Sequence, residues 1–126
     1  NGTIIGYIIG VPIENFKEEA WAQHDYNMGK NNTLYTYSFV VKEQYQRRGG
    51  CAKTLKRIYL NWATKRNYKY ITGHVKQGIS NNFKPKTEVV KIFPVWYGVK
   101  VPFEYFKFFN DFIEVFIISL SSFFSF

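Results

Sequence analysis

The segment from Thr33 to Ala63 most constrains what this chain can fold into. A run of β-branched and aromatic residues, Thr33 to Val41 (TLYTYSFVV), leads through a charged turn with adjacent glycines into a helix-patterned stretch. The first run reads as a buried or half-buried strand. Gly49 and Gly50 let the backbone turn tightly. From Gly50 onward Cys51, Leu55, Ile58, Tyr59, Trp62 and Ala63 recur at helical spacing, while Lys53, Lys56, Arg57, Lys65 and Arg66 fall on the other faces. A helix that starts at the glycines aims its first amides, which lack intrahelical partners, and the positive end of its macrodipole at the turn. Arg47 and Arg48 add full charges there, so phosphate is the guest this turn suits.

Spacing separates the phosphate loops that compete for this segment. A nucleotide-hydrolase loop ends in Gly-Lys-Ser/Thr. Here Lys53-Thr54 supplies the ending, but Arg47 and Ala52 stand where the glycines belong. A dinucleotide fingerprint fails because Cys51 and Thr54 occupy its second and third glycine positions. The pattern Q/R-x-x-G-x-G/A does fit, as Gln46-Arg47-Arg48-Gly49-Gly50-Cys51. It resembles the acetyl-CoA pyrophosphate loop of the GNAT superfamily of N-acetyltransferases, with Cys51 as the one departure. The resemblance extends over residues 2–106. Gly2 to Gly10 resembles the family's third strand, Val40 and Val41 the end of its fourth, and Tyr70 to Val75 its fifth. Asn81 and Asn82 fall where many members carry an asparagine. Trp96-Tyr97-Gly98-Val99-Lys100 resembles the segment that ends the last helix and enters the sixth strand, with Pro94 ending that helix near residue 93.

The resemblance implies an α/β fold of the α+β type: a mixed, mostly antiparallel twisted sheet with helices on both faces, its fourth and fifth strands paired in parallel through the helix from Gly50. It also implies that the fold is incomplete at the amino terminus, since a strand, one or two helices and another strand would precede Asn1. On this reading residues 1–110 form a partial acetyltransferase domain and residues 111–126 an apolar carboxy-terminal strand or tail. The implied activity is transfer of an acetyl group from acetyl-CoA to a primary amine by direct attack. The implied cofactor residues are Val40, Val41, Gln46, Arg47, Arg48, Gly49, Gly50, Cys51, Ala52 and Asn81, with a backbone amide near Val40 polarising the thioester oxygen. Members with a tyrosine acid place it four residues before the glycine, where Pro94 stands, which leaves Tyr97 as the nearby phenol. His74, on the expected fifth strand, and His24, in the preceding loop, are candidate proton relays because histidine titrates near neutral pH. Glu14, Glu18, Glu19 and Asp25 concentrate acidity in that loop, where a cationic amine could be received.

Composition sets the alternatives. With 46% hydrophobic and 21% charged residues, 126 residues suffice for one domain with a useful core. A net charge of +8 keeps a second class open, a basic nucleic-acid-binding or interaction module, but the cations are spread as on a solvated helix and the aromatics follow strand and helix periods. Nucleic acid is therefore not expected as a partner; a small-molecule or peptide amine is, with a homodimer as the possible assembly. The single cysteine excludes an internal disulfide, and no Cys/His spacing suggests a metal. The expected location is the cytoplasm, without a membrane segment.

Overall fold

The computed structural model describes residues 4–46, 50–98 and 100–111. Five strands, β1 (Gly6–Pro12), β2 (Thr33–Val41), β3 (Tyr70–Lys76), β4 (Thr87–Phe93) and β5 (Phe103–Phe109), form one sheet. Their order is β1-β2-β3-β5-β4. Only β2 and β3 run parallel, joined by the α-helix α1 (Cys51–Lys65); every other neighbouring pair is antiparallel. The sheet is thus mixed and mostly antiparallel, as expected, and β2 has the bounds read from the sequence.

Both faces of the sheet are covered by helical turns, of different kinds. On one face, α1 buries Tyr59 and Ala63 against Leu34 of β2 and Ile71 of β3. The buried stripe runs at intervals of four through Tyr59 and Ala63 and is narrower than the sequence suggested, because Ile58 is 61% exposed and Trp62 38%. Trp62 instead stacks on Tyr68 and carries the Arg66 guanidinium above its ring at 4.3 Å. The opposite face is closed by two 3-10 turns, Ile13–Phe16 and Ala20–His24. Ile13, Trp21 and Ala22 pack there on Tyr35 and Tyr105, with Phe16, Met28, Val90, Phe93 and Trp96 around them.

The chain after β3 departs from the expectation of a last helix ending near residue 93. Thr87–Phe93 (TEVVKIF) is a strand, consistent with its β-branched valines and isoleucine, and Pro94 ends that strand. Between β3 and β4 the described residues hold only a 3-10 turn, Ile79–Asn82. The strand reached after Gly98, β5, is an inner one, paired with β3 on one side and β4 on the other. Lying inside the sheet, β5 buries two charged residues, and each has partners. Lys107 Nζ donates to Asp25 Oδ1 and Asn27 Oδ1, and Tyr105 Oη donates to Asp25 Oδ2 at 2.5 Å. Glu104 accepts from the Gly78 and Ser80 amides at 2.8 and 3.0 Å and from the Ser80 hydroxyl. The expected tail strand, residues 112–126, lies outside the described residues.

Candidate functional site

A fork in the sheet organises the site. β2 and β3 pair only from Thr33↔Tyr70 to Thr36↔Gly73, although β2 continues to Val41 and β3 to Lys76. The parting coincides with a bulge on the other edge of β2, where Ile9 faces Ser38 and the next residue, Gly10, faces Thr36. Tyr37 is the extra residue, and such a bulge bends the strand that carries it. Beyond this point the facing strand edges have backbone groups not used in pairing with each other, which must find other partners.

α1 begins at the open end of this fork. Gly50 enters the helix at φ 71°, a conformation that costs glycine little, and its carbonyl accepts the Thr54 amide at 2.9 Å. Among the described residues no side chain caps the start of α1, and the first amides of a helix have no intrahelical partners. Gln46 Nε2 donates to the Val41 carbonyl at 3.0 Å and so ties the start of the loop to the end of β2. Cys51 and Ala52 are half-buried in the first turn, whereas Val40, on the fork edge, is 43% exposed. Arg47, Arg48 and Gly49 lie outside the described residues. Among the described residues no group of three His, Cys, Asp or Glu could hold a metal ion.

A cavity of about 450 Å³ opens from the fork on the α1 face. Phe39, Lys56 and Val75 line it on the fork side, and Leu60, Ile71 and Phe108 line it further in. Thr36 and Tyr59 hydrogen-bond through their hydroxyls at 2.9 Å where the strands separate. Lys56 Nζ stands 5.5 Å from the Phe39 ring centre and 5.9 Å from that of Phe83. Sequence reasoning passed over Lys56, Tyr59 and Glu104. Lys56 reads as one more solvated helix cation, and nothing in the sequence couples Glu104 to the turn at Gly78 and Ser80. Burial pushes the Glu104 carboxyl up, but the Gly78 amide and the Ser80 hydroxyl and amide together hold it below its ordinary range. Glu104 thereby fixes the turn that carries Asn81, whose side chain is exposed beside the cavity lining residue Ile79.

The proton-transfer candidates lie away from α1. His74 stacks on Trp96 with ring centres 3.7 Å apart and stands edge-on to Trp21 at 4.8 Å. Its Nδ1 is 2.8 Å from Tyr35 Oη, and its buried Nε2 has no hydrogen-bond partner among the described residues. Burial pushes the imidazole down from 6.5 to about 3, so it is neutral at physiological pH. Between those values the unfolded chain binds more protons than the folded one. The stability is therefore complete above about pH 6.5 and is lost as pH falls. From pH 7 to 5 this single group should remove about 2 kcal/mol, and a His74→Gln variant should lose that part of the acid sensitivity in urea unfolding; an unchanged pH dependence would refute it. His24 is exposed, its ring 6.0 Å from Phe93.

Tyr97 is 70% exposed and adopts φ 47°, uncommon for a residue with a side chain. Its hydroxyl donates to Glu19 Oε1 at 2.6 Å, and that bond raises the phenol's pKa. The acidic loop is largely committed to structure. Glu14 Oε2 accepts the Gly29 and Asn31 amides, and Asp25 is buried with Lys107. Among the described residues, the exposed Glu18 has no hydrogen bond or ion pair.

Known proteins share this architecture. Ard1 from Thermoplasma volcanium superposes with a TM-score of 0.64 at 16% identity, covering 86% of this chain and 64% of that one. The AHL synthase LasI gives 0.67 at 7% identity, covering 88% of this chain and 61% of that one. NAA60 of Arabidopsis thaliana, in complex with a bisubstrate analogue, gives 0.56 at 18% identity, with 86% and 69% covered. At these identities the likeness establishes the fold, and the chain spans less than two thirds of the length of the first two. No curated protein matches the sequence. The sequence profile of the Acetyltransferase (GNAT) family matches residues 1–81, the stretch that holds β1, the fork and the whole of α1. With the profile covering more than half of the chain and the sheet forked where α1 begins, the protein belongs to the GNAT acetyltransferase family.

Proposed function

We propose that the protein is an acetyl-CoA-dependent N-acetyltransferase that passes the acetyl group to a primary amine by direct attack. The observation that carries this reading is the parting of β2 from β3 at the end of the sheet where α1 starts. That geometry would supply, so read, an anion site and, next to it, two strand edges whose backbone groups are not paired with each other. In this reading Arg47, Arg48 and the amides of Gly49, Gly50, Cys51 and Ala52 hold the pyrophosphate, with Gln46 bracing the loop. Val40 and Val41 flank the pantetheine arm, and Asn81 contacts it from across the fork. Backbone amides along Tyr37–Val41 would polarise the thioester oxygen, a stabilisation that is large where donors are fixed in advance. Cys51, in the first turn of α1, serves packing and the phosphate turn.

Tyr97 is the proposed acid for the leaving thiolate. His24 is the proposed relay that accepts a proton from the amine, while the buried, neutral His74, too weak a base for that step, would position Tyr35 through their hydrogen bond. The acceptor is a small-molecule or peptide amine entering by Tyr37 and Tyr97. NAA60 of Arabidopsis thaliana is solved with acetyl-CoA, which supports the choice of co-substrate. The test is thermal unfolding with and without acetyl-CoA. Ligand at ~100 times its dissociation constant should stabilise the chain by about 2.7 kcal/mol. The Arg47→Glu/Arg48→Glu variant should lose that gain; a cooperatively folding chain with no shift in midpoint would overturn the proposal.

A further inference from the structure

We infer that the cavity beside the fork is an acyl-chain subsite that favours thioesters longer than acetyl. This rests on the proposed use of a CoA thioester, and it adds which acyl groups that site takes. Where the strands have parted, the edges of β2 and β3 offer backbone donors and acceptors suited to the amide-bearing arm of the carrier. Further in, past the Thr36–Tyr59 hydroxyl pair, the wall is carbon: Leu60, Ile71, Phe106 and Phe108, with Ile79 and Phe83 on the far side. An amide placed against that wall would forfeit its hydrogen bonds, whereas a hydrocarbon chain forfeits nothing. The cavity of about 450 Å³ takes in the strand edges that the arm would use, and a two-carbon acetyl group would leave its inner part, lined by Leu60, Ile71, Phe106 and Phe108, unfilled.

Two local features keep the space open. Gly73 forms part of the floor, where a Cβ would lie 2.9 Å from the Phe106 ring. The connection from β3 to β4 crosses this side of the sheet with only the 3-10 turn Ile79–Asn82, fastened by Glu104, in place of a covering helix. The space is continuous with the fork that leads to the first turn of α1, so a chain lying in it would be joined to a carrier whose phosphates sit on that turn. Transfer would form the amide C–N bond and break the thioester C–S bond. The amine gives up a proton and the thiolate takes one up.

Titration calorimetry with CoA, acetyl-CoA, butyryl-CoA and hexanoyl-CoA tests this directly. Affinity should rise about three- to fourfold for each added methylene that is buried. Ile79 is 45% exposed at the cavity rim, so Ile79→Trp can fill the space without entering the core. In that variant the ratio of hexanoyl-CoA to acetyl-CoA affinity should fall towards one, and a ratio taken within one variant is insensitive to general loss of stability. Equal or weaker binding of hexanoyl-CoA by the unaltered chain, with CoA itself bound, overturns the inference and leaves the cofactor reading standing. A chain-length gradient unchanged in Ile79→Trp overturns the location. Failure of all four ligands to bind a cooperatively folded chain overturns the inference and the cofactor reading together.

Discussion

Lys107→Met is expected to destabilise the fold by about 3–5 kcal/mol, the usual cost of leaving one member of a buried ion pair without its partner. Lys107 and Asp25 are both 2% exposed, and the ammonium spans from β5 to the segment between the 3-10 turns and β2. Burial depresses the ammonium's pKa, with the Asp25 carboxylate opposing that shift. Removal of the ammonium leaves Asp25 with the Tyr105 hydroxyl and the Asn27 amide, too few donors for a carboxylate out of water. The companion variant Asp25→Asn/Lys107→Met carries neither charge of the pair and should recover a large part of the loss. Urea midpoints of the two variants decide the matter: a single variant within about 1 kcal/mol of the parent would mean that water reaches the pair.

Trp21→Ala should cost about 3–5 kcal/mol, the range for large aromatics deleted from a core. The indole lies between the sheet and the 3-10 turns, with ring centres of Tyr35, His74, Phe16, Tyr105 and Trp96 between 4.8 and 5.8 Å away. Its loss would also admit water to the buried edge of His74. The imidazole pKa should then climb from about 3 back towards 6.5, because burial is what depresses it. Chemical denaturation gives the energy, and the histidine proton resonances followed with pH give the second readout. A destabilised variant whose His74 stays neutral down to pH 4 would show that the other aromatic rings alone keep it dry.

Local pattern carried much of the fold. β2 could be read because Thr33–Val41 alternates with β-branched and aromatic residues over nine positions, and α1 because glycine and apolar spacing mark where it starts. The outer half of the sheet was less legible. The resemblance places the end of a helix at Thr87–Phe93, although the valines and isoleucine there favour the strand that forms. In Phe103–Phe109 two charged residues hide an inner strand, because nothing local says that Asp25 and the turn at Gly78 will arrive to meet them.

The same division runs through the site. Local sequence set the strand Thr33–Val41 and the helix Cys51–Lys65, since each depends on residues adjacent in the chain. Long-range packing set where the strands part, that His74 sits neutral in an aromatic shell, that Asp25 and Glu14 hold the fold, and that a carbon-lined cavity opens beside the fork. Those outcomes depend on residues brought together from distant parts of the chain, such as Trp21 with His74 and Glu104 with Ser80. Desolvation and hydrogen bonding act on whatever is near in space, and only packing sets that nearness.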